Sequence, residues 1–88
     1  MAESTKKCRA SGAQIRAARE LLDLNQRELA AAASVDINTL GALERGKRPV
    51  FESSAEKVQE ALERRGIEFL NGGKPGVRLH PDRAVIPS

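Results

Sequence analysis

Residues 24–49 read LNQRELAAAASVDINTLGALERGKRP and contain most of the information about the fold. Asn25 is a favourable helix N-cap, and Glu28 stands three residues after it, which is the spacing of a capping box. A helix of about eight residues is therefore predicted to begin after Asn25. It ends at a break of three residues, 34–36, where the pattern of buried positions is interrupted.

A second short helix is predicted directly after that three-residue break. Asp36 is predicted to cap a helix over 37–45, and Gly46 to end it in the left-handed conformation. Leu40 and Leu43 would point inward and hold the two helices at a fixed crossing angle. Two short helices locked in this way are the physical requirement for a helix-turn-helix, in which the second helix stands clear of the surface and enters a DNA groove.

Further helices are predicted on both sides of this pair. Ser11 is a plausible N-cap for a first helix, which carries an apolar stripe at helical spacing and is expected to end near Leu24. A fourth helix is expected to begin after Ser53 or Ser54 and to stop at Gly66. The stripe of the first helix consists of Ile15, Ala18, Leu21 and Leu22.

The last part of the chain changes character. Residues 67–70 are β-branched and aromatic, 71–76 are rich in turn-forming residues, and 77–79 alternate again, which indicates a β-hairpin. The expected fold is mainly α, a compact four-helix domain with a small C-terminal hairpin. The predicted organisation is a basic N-terminal tail (1–10), a helical domain (11–66), a hairpin (67–80) and a C-terminal tail (81–88).

Composition excludes several functional classes. The chain has 88 residues, no Trp or Tyr, two Phe, and Cys8 and His80 as its single Cys and single His. One cysteine and one histidine make neither a disulfide framework nor a structural zinc site, and few aromatics argue against a single-strand stacking platform. No apolar run approaches the ~18 residues of a membrane span, so we expect a cytoplasmic protein without a membrane partner.

Positive charge is concentrated in the first half of the chain. The formal net charge is +3, and residues 1–49 hold nine Lys and Arg against six acids, whereas 50–88 hold six of each. A basic half joined to a neutral half indicates that the first half meets a polyanion. Lys6, Lys7 and Arg9 are either an arm that follows DNA or a solubilising tail.

The motif resembles the lambda-repressor-like, or XRE-type, helix-turn-helix family, over roughly residues 12–62. One departure is Ser34, which stands where the family usually has glycine; serine reaches the left-handed region at about 1 kcal/mol, so the turn is permitted. The matching residues are Arg19, Gln26-Xaa-Glu28-Leu29-Ala30, Val35, Thr39-Leu40 and Leu43-Glu44-Arg45-Gly46.

DNA contacts are predicted from the outward face of the third helix and from the resemblance. Opposite Leu40 and Leu43, Asn38 is able to pair with adenine and Ile37 to meet a thymine methyl group, whereas Gly41 and Ala42 offer no hydrogen bonds. This sparse face suggests that DNA shape aids recognition. The predicted base-reading residues are Ile37, Asn38, Gly41 and Ala42. The resemblance implies phosphate contacts from Gln26, Arg27, Thr39, Arg45, Lys47 and Arg48.

Two structural roles complete the set. The resemblance implies a largely buried ion pair between Arg19 and Glu44 that ties the first helix to the third. Two short strands make a poor isolated sheet, which favours a homodimer that would place two recognition helices about 34 Å apart. The expected dimer contacts, which alternatively close the monomer core, are Phe51, Val58, Leu62, Ile67, Phe69, Val77 and Leu79.

The predicted function is a dimeric, sequence-specific regulator of transcription that binds double-stranded DNA and represses. A protein-interaction adaptor of the antitoxin or anti-activator type is a second hypothesis, supported by the sparse reading face. A recombination directionality factor is a third. An enzyme is not expected, since no nucleophile–base pair, metal set or phosphate-binding loop is evident. Neither a cofactor nor a small-molecule ligand is predicted.

Overall fold

The computed structural model of the chain describes residues 10–46, 50–70 and 75–80. Four helices precede an antiparallel hairpin, as the sequence predicts. The predicted tails fall outside these ranges except for Ala10, which is buried and donates its N–H to the Gln59 side chain at 3.0 Å. Within the described ranges, no helix combines the length and hydropathy that crossing a bilayer requires. The elements are α1 (Gly12–Leu21), α2 (Gln26–Ala33), α3 (Ile37–Arg45), α4 (Glu52–Glu63), β1 (Ile67–Leu70) and β2 (Gly76–Leu79).

Side-chain caps define the start of the first three helices. Ser11 accepts the N–H of Gln14 at the start of α1, and Asn25 accepts the N–H of Glu28 at the start of α2. In both cases the third helical side chain returns a hydrogen bond to the cap backbone, which completes a capping box. Asp36 caps α3 through the N–H of Asn38. These three caps are confirmed.

The fourth helix begins earlier than the sequence predicts. It starts at Glu52, and its N-cap is Phe51, which makes no side-chain capping bond. The backbone carbonyl of Phe51 accepts the N–H groups of Ser54 and Ala55, and Glu52 places a negative charge in the first turn, where the helix dipole favours it. Ser53 and Ser54 are therefore first-turn residues, and the prediction that the helix begins after one of them is wrong.

The core lies where the helices cross. Leu21, predicted on the buried stripe of α1, is instead 48 % exposed, and the neighbouring Leu22 packs against the core. Helical spacing explains this, because Leu22 follows Ile15 by two turns and Leu21 lies off that line. The largest fully buried side chains are Ile15, Leu29, Leu40, Val58 and Leu62.

Two backbone features bring the helices close together. Ser34 adopts the left-handed conformation (φ 59°, ψ 43°) that the turn between α2 and α3 needs. At Gly12, an added Cβ would lie 2.4 Å from the carbonyl oxygen of Leu43. Only glycine allows this approach, so the first turn of α1 lies directly against the last turn of α3.

The hairpin pairs its strands in a short antiparallel register. Ile67 lies opposite Leu79, and Leu70 lies opposite Gly76. Gln14, buried in α1, donates its side-chain amide to the carbonyls of Leu70 (3.1 Å) and Gly76 (2.9 Å). One side chain of α1 thereby holds both strands at the turn end of the hairpin.

Candidate nucleic-acid interface

A buried ion pair holds α3 in place. The Arg19 guanidinium donates to both carboxylate oxygens of Glu44, at 2.8 and 3.1 Å, and to the carbonyl of Leu24 at 3.0 Å. The two side chains are only 14 % and 3 % exposed. Hydrogen bonding to Glu44 raises the pKa of Arg19 above its ordinary value, although burial opposes the shift. The pair implied by the resemblance is present, and it joins α1 to the last turn of α3.

Gln26 adds the second helix of the motif to the same cluster. Its side-chain amide donates to Glu44 at 3.1 Å, and the residue is half-buried. A glutamine amide has two N–H donors, so one remains for a phosphate. Gln26 therefore joins α2 to α3, and its predicted phosphate contact stays a prediction.

The first turn of α3 presents the accessible part of the reading face. Asn38 is exposed, and Ile37 and Thr39 are half-buried. The backbone N–H of Asn38 is taken by the Asp36 cap, and its side chain makes no hydrogen bond to any residue that the structure describes. Asn38 is thus free to pair with a base edge, as its predicted role requires.

Gly41 and Ala42 do not lie on an open face. Ala42 is 1 % exposed and Gly41 is buried, so their predicted placement on the outward surface of α3 is wrong. Gly41 has no side chain and Ala42 has only a methyl group, so neither extends beyond the neighbouring side chains. At Gly41 the covering group is the Arg45 guanidinium, whose Nη1 atom lies 3.3 Å from the position of an added Cβ. Helical spacing identifies a face, but it does not show which neighbours cover it.

The predicted phosphate-binding cations are only partly within the described residues. Arg27 in the first turn of α2 and Arg45 at the end of α3 are both exposed. Lys47 and Arg48 lie outside the described residues, as does the basic segment around Lys6. Of the predicted phosphate-binding cations, the structure therefore describes only Arg27 and Arg45, and both are accessible to solvent.

The predicted dimer contacts divide into three groups by exposure. Val58 and Leu62 are fully buried and Ile67 is 4 % exposed, so these three close the monomer core and are not available to a partner. Phe51 is 84 % exposed, far more than an aromatic side chain usually is in a monomer. Phe69, Val77 and Leu79 are half-buried and pack against the core.

Two structural contacts were not predicted from the sequence. His80, for which the sequence predicts no role, donates its backbone N–H to the carbonyl of Gly66, and its ring lies 2.5 Å from the Glu68 carboxylate. Gln14 joins α1 to the hairpin. Both contacts cross long stretches of sequence, and the signal available for Gln14 was its position within the capping box.

The chain matches the model of a family described as helix-turn-helix over residues 15–69. The match begins in α1, spans the α2–α3 pair and ends in β1, and so covers more than half of the chain. No curated protein matches the chain.

Proposed function

The chain belongs to the XRE-type, or lambda-repressor-like, family of helix-turn-helix DNA-binding regulators, and from that premise we propose that it is a sequence-specific repressor that binds double-stranded DNA as a homodimer. In this proposal α3 enters the major groove, and the first-turn residues Ile37 and Asn38 meet the base edges. Recognition helices of this class contact bases with their N-terminal residues, and the exposed Asn38 lies in the first turn of α3.

The single observation that carries the proposal is the fixed position of α3. Arg19 in α1 and Gln26 in α2 both donate to the carboxylate of Glu44 in α3. A recognition helix must hold its orientation when it is pressed against a duplex, since base contacts need atoms placed within fractions of an ångström. Three helices tied at one buried carboxylate supply that rigidity.

Phosphate contacts would come from the edge of the motif. Arg27 is exposed in the first turn of α2, beside Gln26, and Thr39 is half-buried on α3. The first turn of a helix also directs unpaired backbone N–H groups outward, which favours an anionic phosphate. Binding would then weaken as salt rises, because each neutralised phosphate releases condensed counterions.

The test of this function is selection of binding sites from a random duplex pool, followed by footprinting of the enriched sequence. An enriched site with one preferred adenine, lost in Asn38→Ala, supports direct reading. Loss of that adenine contact is expected to cost about 1–3 kcal/mol at its base pair. An unchanged preference in Asn38→Ala would remove the main direct contact from the proposal.

Dimerisation is supported by the exposed aromatic side chain of Phe51 and by the small size of the sheet. A two-stranded hairpin keeps unpaired backbone groups on its outer edges, which invites pairing with a second copy. Repression would then follow from occupancy, because a dimer that covers a promoter excludes polymerase. Transcription from a template carrying the selected site, measured with and without the protein, tests that role.

A protein-interaction adaptor is the second candidate function. The burial of Gly41 and Ala42 favours it, since these two residues leave the reading face with few accessible groups. Gel shifts against genomic fragments at two salt concentrations separate the two functions. A regulator retains a preferred fragment at the higher salt, whereas an adaptor shows no preferred fragment at either.

A further inference from the structure

The Arg45 side chain folds back along α3 and covers Gly41. The three atoms nearest to the place of a Cβ at Gly41 all belong to the Arg45 guanidinium, with Nη1 at 3.3 Å and Cζ and Nη2 at 3.9 Å. Helical side chains point toward the N-terminus of their helix, so this direction is the natural one for Arg45. The guanidinium consequently lies a full turn nearer to the groove-entering end of α3 than the Arg45 backbone does.

Arg45, Gly41 and Asn38 share one face of α3. Their spacings of four and three residues place them in line along the helix. Asn38 and Arg45 are both exposed, while Gly41 beneath the guanidinium is buried. No residue within the described ranges accepts a hydrogen bond from the Arg45 side chain. The face of α3 that carries the Asn38 amide therefore carries a second hydrogen-bonding group, the guanidinium of Arg45 from the end of the helix.

We propose that Arg45 is a specificity-determining residue that reads a guanine in the major groove, with its guanidinium seated on Gly41. This inference rests on the proposed function, and it replaces the phosphate contact that the resemblance implies for Arg45. An arginine fork matches the O6 and N7 atoms of guanine, as an asparagine amide matches adenine.

The spacing predicts where the guanine lies. Gly41 is three residues from Asn38, or about 4.5 Å along the helix axis at 1.5 Å per residue. Successive base pairs are about 3.4 Å apart. The guanine is therefore expected one or two base pairs from the adenine that Asn38 reads.

Gly41 belongs to the same proposed arrangement, because the Arg45 guanidinium lies over it. Glycine is unfavourable in a helix interior, so its presence needs a reason, and here any Cβ would press against the guanidinium. A larger side chain at position 41 would occupy the space that the guanidinium now holds. Changing Gly41 should consequently alter the reading of the guanine even though Arg45 itself is unchanged.

The experiment measures equilibrium binding to the selected site and to every single base-pair variant of it. The wild-type protein is expected to lose about 5- to 150-fold in affinity when one G·C pair near the Asn38 adenine is replaced. Arg45→Ala should bind all bases equally at that pair, whereas Arg45→Lys, which keeps the charge but lacks the planar fork, should retain only a weaker preference for guanine. Gly41→Leu should lose the same preference. Arg64→Ala, which removes an exposed cation from the end of α4, is the control and should keep it.

Two outcomes of these binding measurements would contradict the inference. If Arg45→Ala keeps the guanine preference and weakens binding to all sequences alike, Arg45 contacts a phosphate and the inference is overturned while the regulator stands. If the wild-type protein enriches no sequence, both the inference and the proposed function fail. Circular dichroism melts show which variants fold, and the comparison of Arg45→Ala with wild type tests the inference if Gly41→Leu does not fold.

Discussion

The Glu44 carboxylate accepts three hydrogen bonds from two other helices, two from Arg19 in α1 and one from Gln26 in α2. Because the Glu44 side chain is only 3 % exposed, it has almost no access to water, and these donors replace water around the carboxylate. Replacing such a pair with apolar groups is often neutral, but removing one member leaves a buried charge uncompensated. The cluster is therefore sensitive to single substitutions.

Glu44→Ala should destabilise the domain by about 3–5 kcal/mol, since it strands the Arg19 guanidinium. Urea denaturation followed by circular dichroism measures the change in free energy of unfolding. Glu56→Ala is a matched control, because Glu56 lies exposed on α4 and its loss should cost little. Equal midpoints for Glu44→Ala and wild type would contradict a stabilising role for the pair.

Ser34 provides a second prediction at the scale of one residue. Its left-handed backbone (φ 59°) is costly for any side chain with a Cβ and free of that cost for glycine. Ser34→Gly and Ser34→Ala both remove the hydroxyl group, so they differ only in this backbone term. The glycine variant should be the more stable by about 1 kcal/mol in thermal unfolding. If alanine is as stable as glycine, the turn is relieved by some change elsewhere.

At the scale of the element, the hairpin depends on α1. Gln14 donates to the carbonyls of the strand pair at the turn end, Leu70 and Gly76, while its own side-chain oxygen accepts the N–H of Ser11 at 2.8 Å. The residue is 6 % exposed, so water is poorly placed to substitute for the amide. Ordering of the two strands is thus coupled to the capping box of the first helix.

Gln14→Ala should loosen the hairpin, since it leaves the carbonyls of Leu70 and Gly76 without this donor, at a cost of about 1–3 kcal/mol. Hydrogen exchange is expected to accelerate at the amides of 67–70 and 76–79 and to stay slow in α2 and α3. Gln59→Ala is a useful comparison, because it removes a different anchor, the one to Ala10. Uniform acceleration across the whole domain would show that Gln14 supports global stability instead.

The elements that the sequence predicted well are those set by local chemistry. Asn25 and Asp36 cap their own helices, and Gly46 ends α3 at φ 65°, because each acts on backbone groups within a few residues. The error at Gly41 arises because the Arg45 side chain folds back along the same helix and covers it, which helical spacing alone does not reveal. The same holds for Gly12, whose need for a missing Cβ comes from a carbonyl in α3, about thirty residues along the chain.

Across the whole chain, charge and exposed apolar surface are divided between the two halves, in line with the proposed DNA contacts in the first half and dimer contacts in the second. The helices of the reading motif lie in the basic first half of the chain, whereas the exposed Phe51 and the hairpin lie in the neutral second half. A dimer built through the second half would leave both α3 helices free. The spacing between those helices would then be fixed by the protein and not by the DNA.

Fixed spacing makes the proposed dimer sensitive to the distance between half-sites. Helices that enter successive major grooves require half-sites about 10–10.5 base pairs apart. Inserting five base pairs turns the second half-site to the opposite side of the duplex, so wild-type affinity should fall to that of a single half-site. Gel shifts on the two duplexes measure the change, and sedimentation velocity reports whether the free protein is a dimer.

Phe51→Glu is the informative variant for this prediction, because a charge at an 84 % exposed position should leave the monomer folded and repel a second copy. It should sediment as a monomer, bind a single half-site as the wild type does, and be indifferent to the insertion. A wild-type protein that tolerates the insertion would bind as independent monomers. If instead the spacing matters and Phe51→Glu remains dimeric, the copies meet through the hairpin edges, because the partly buried Phe69, Val77 and Leu79 would be the remaining contacts.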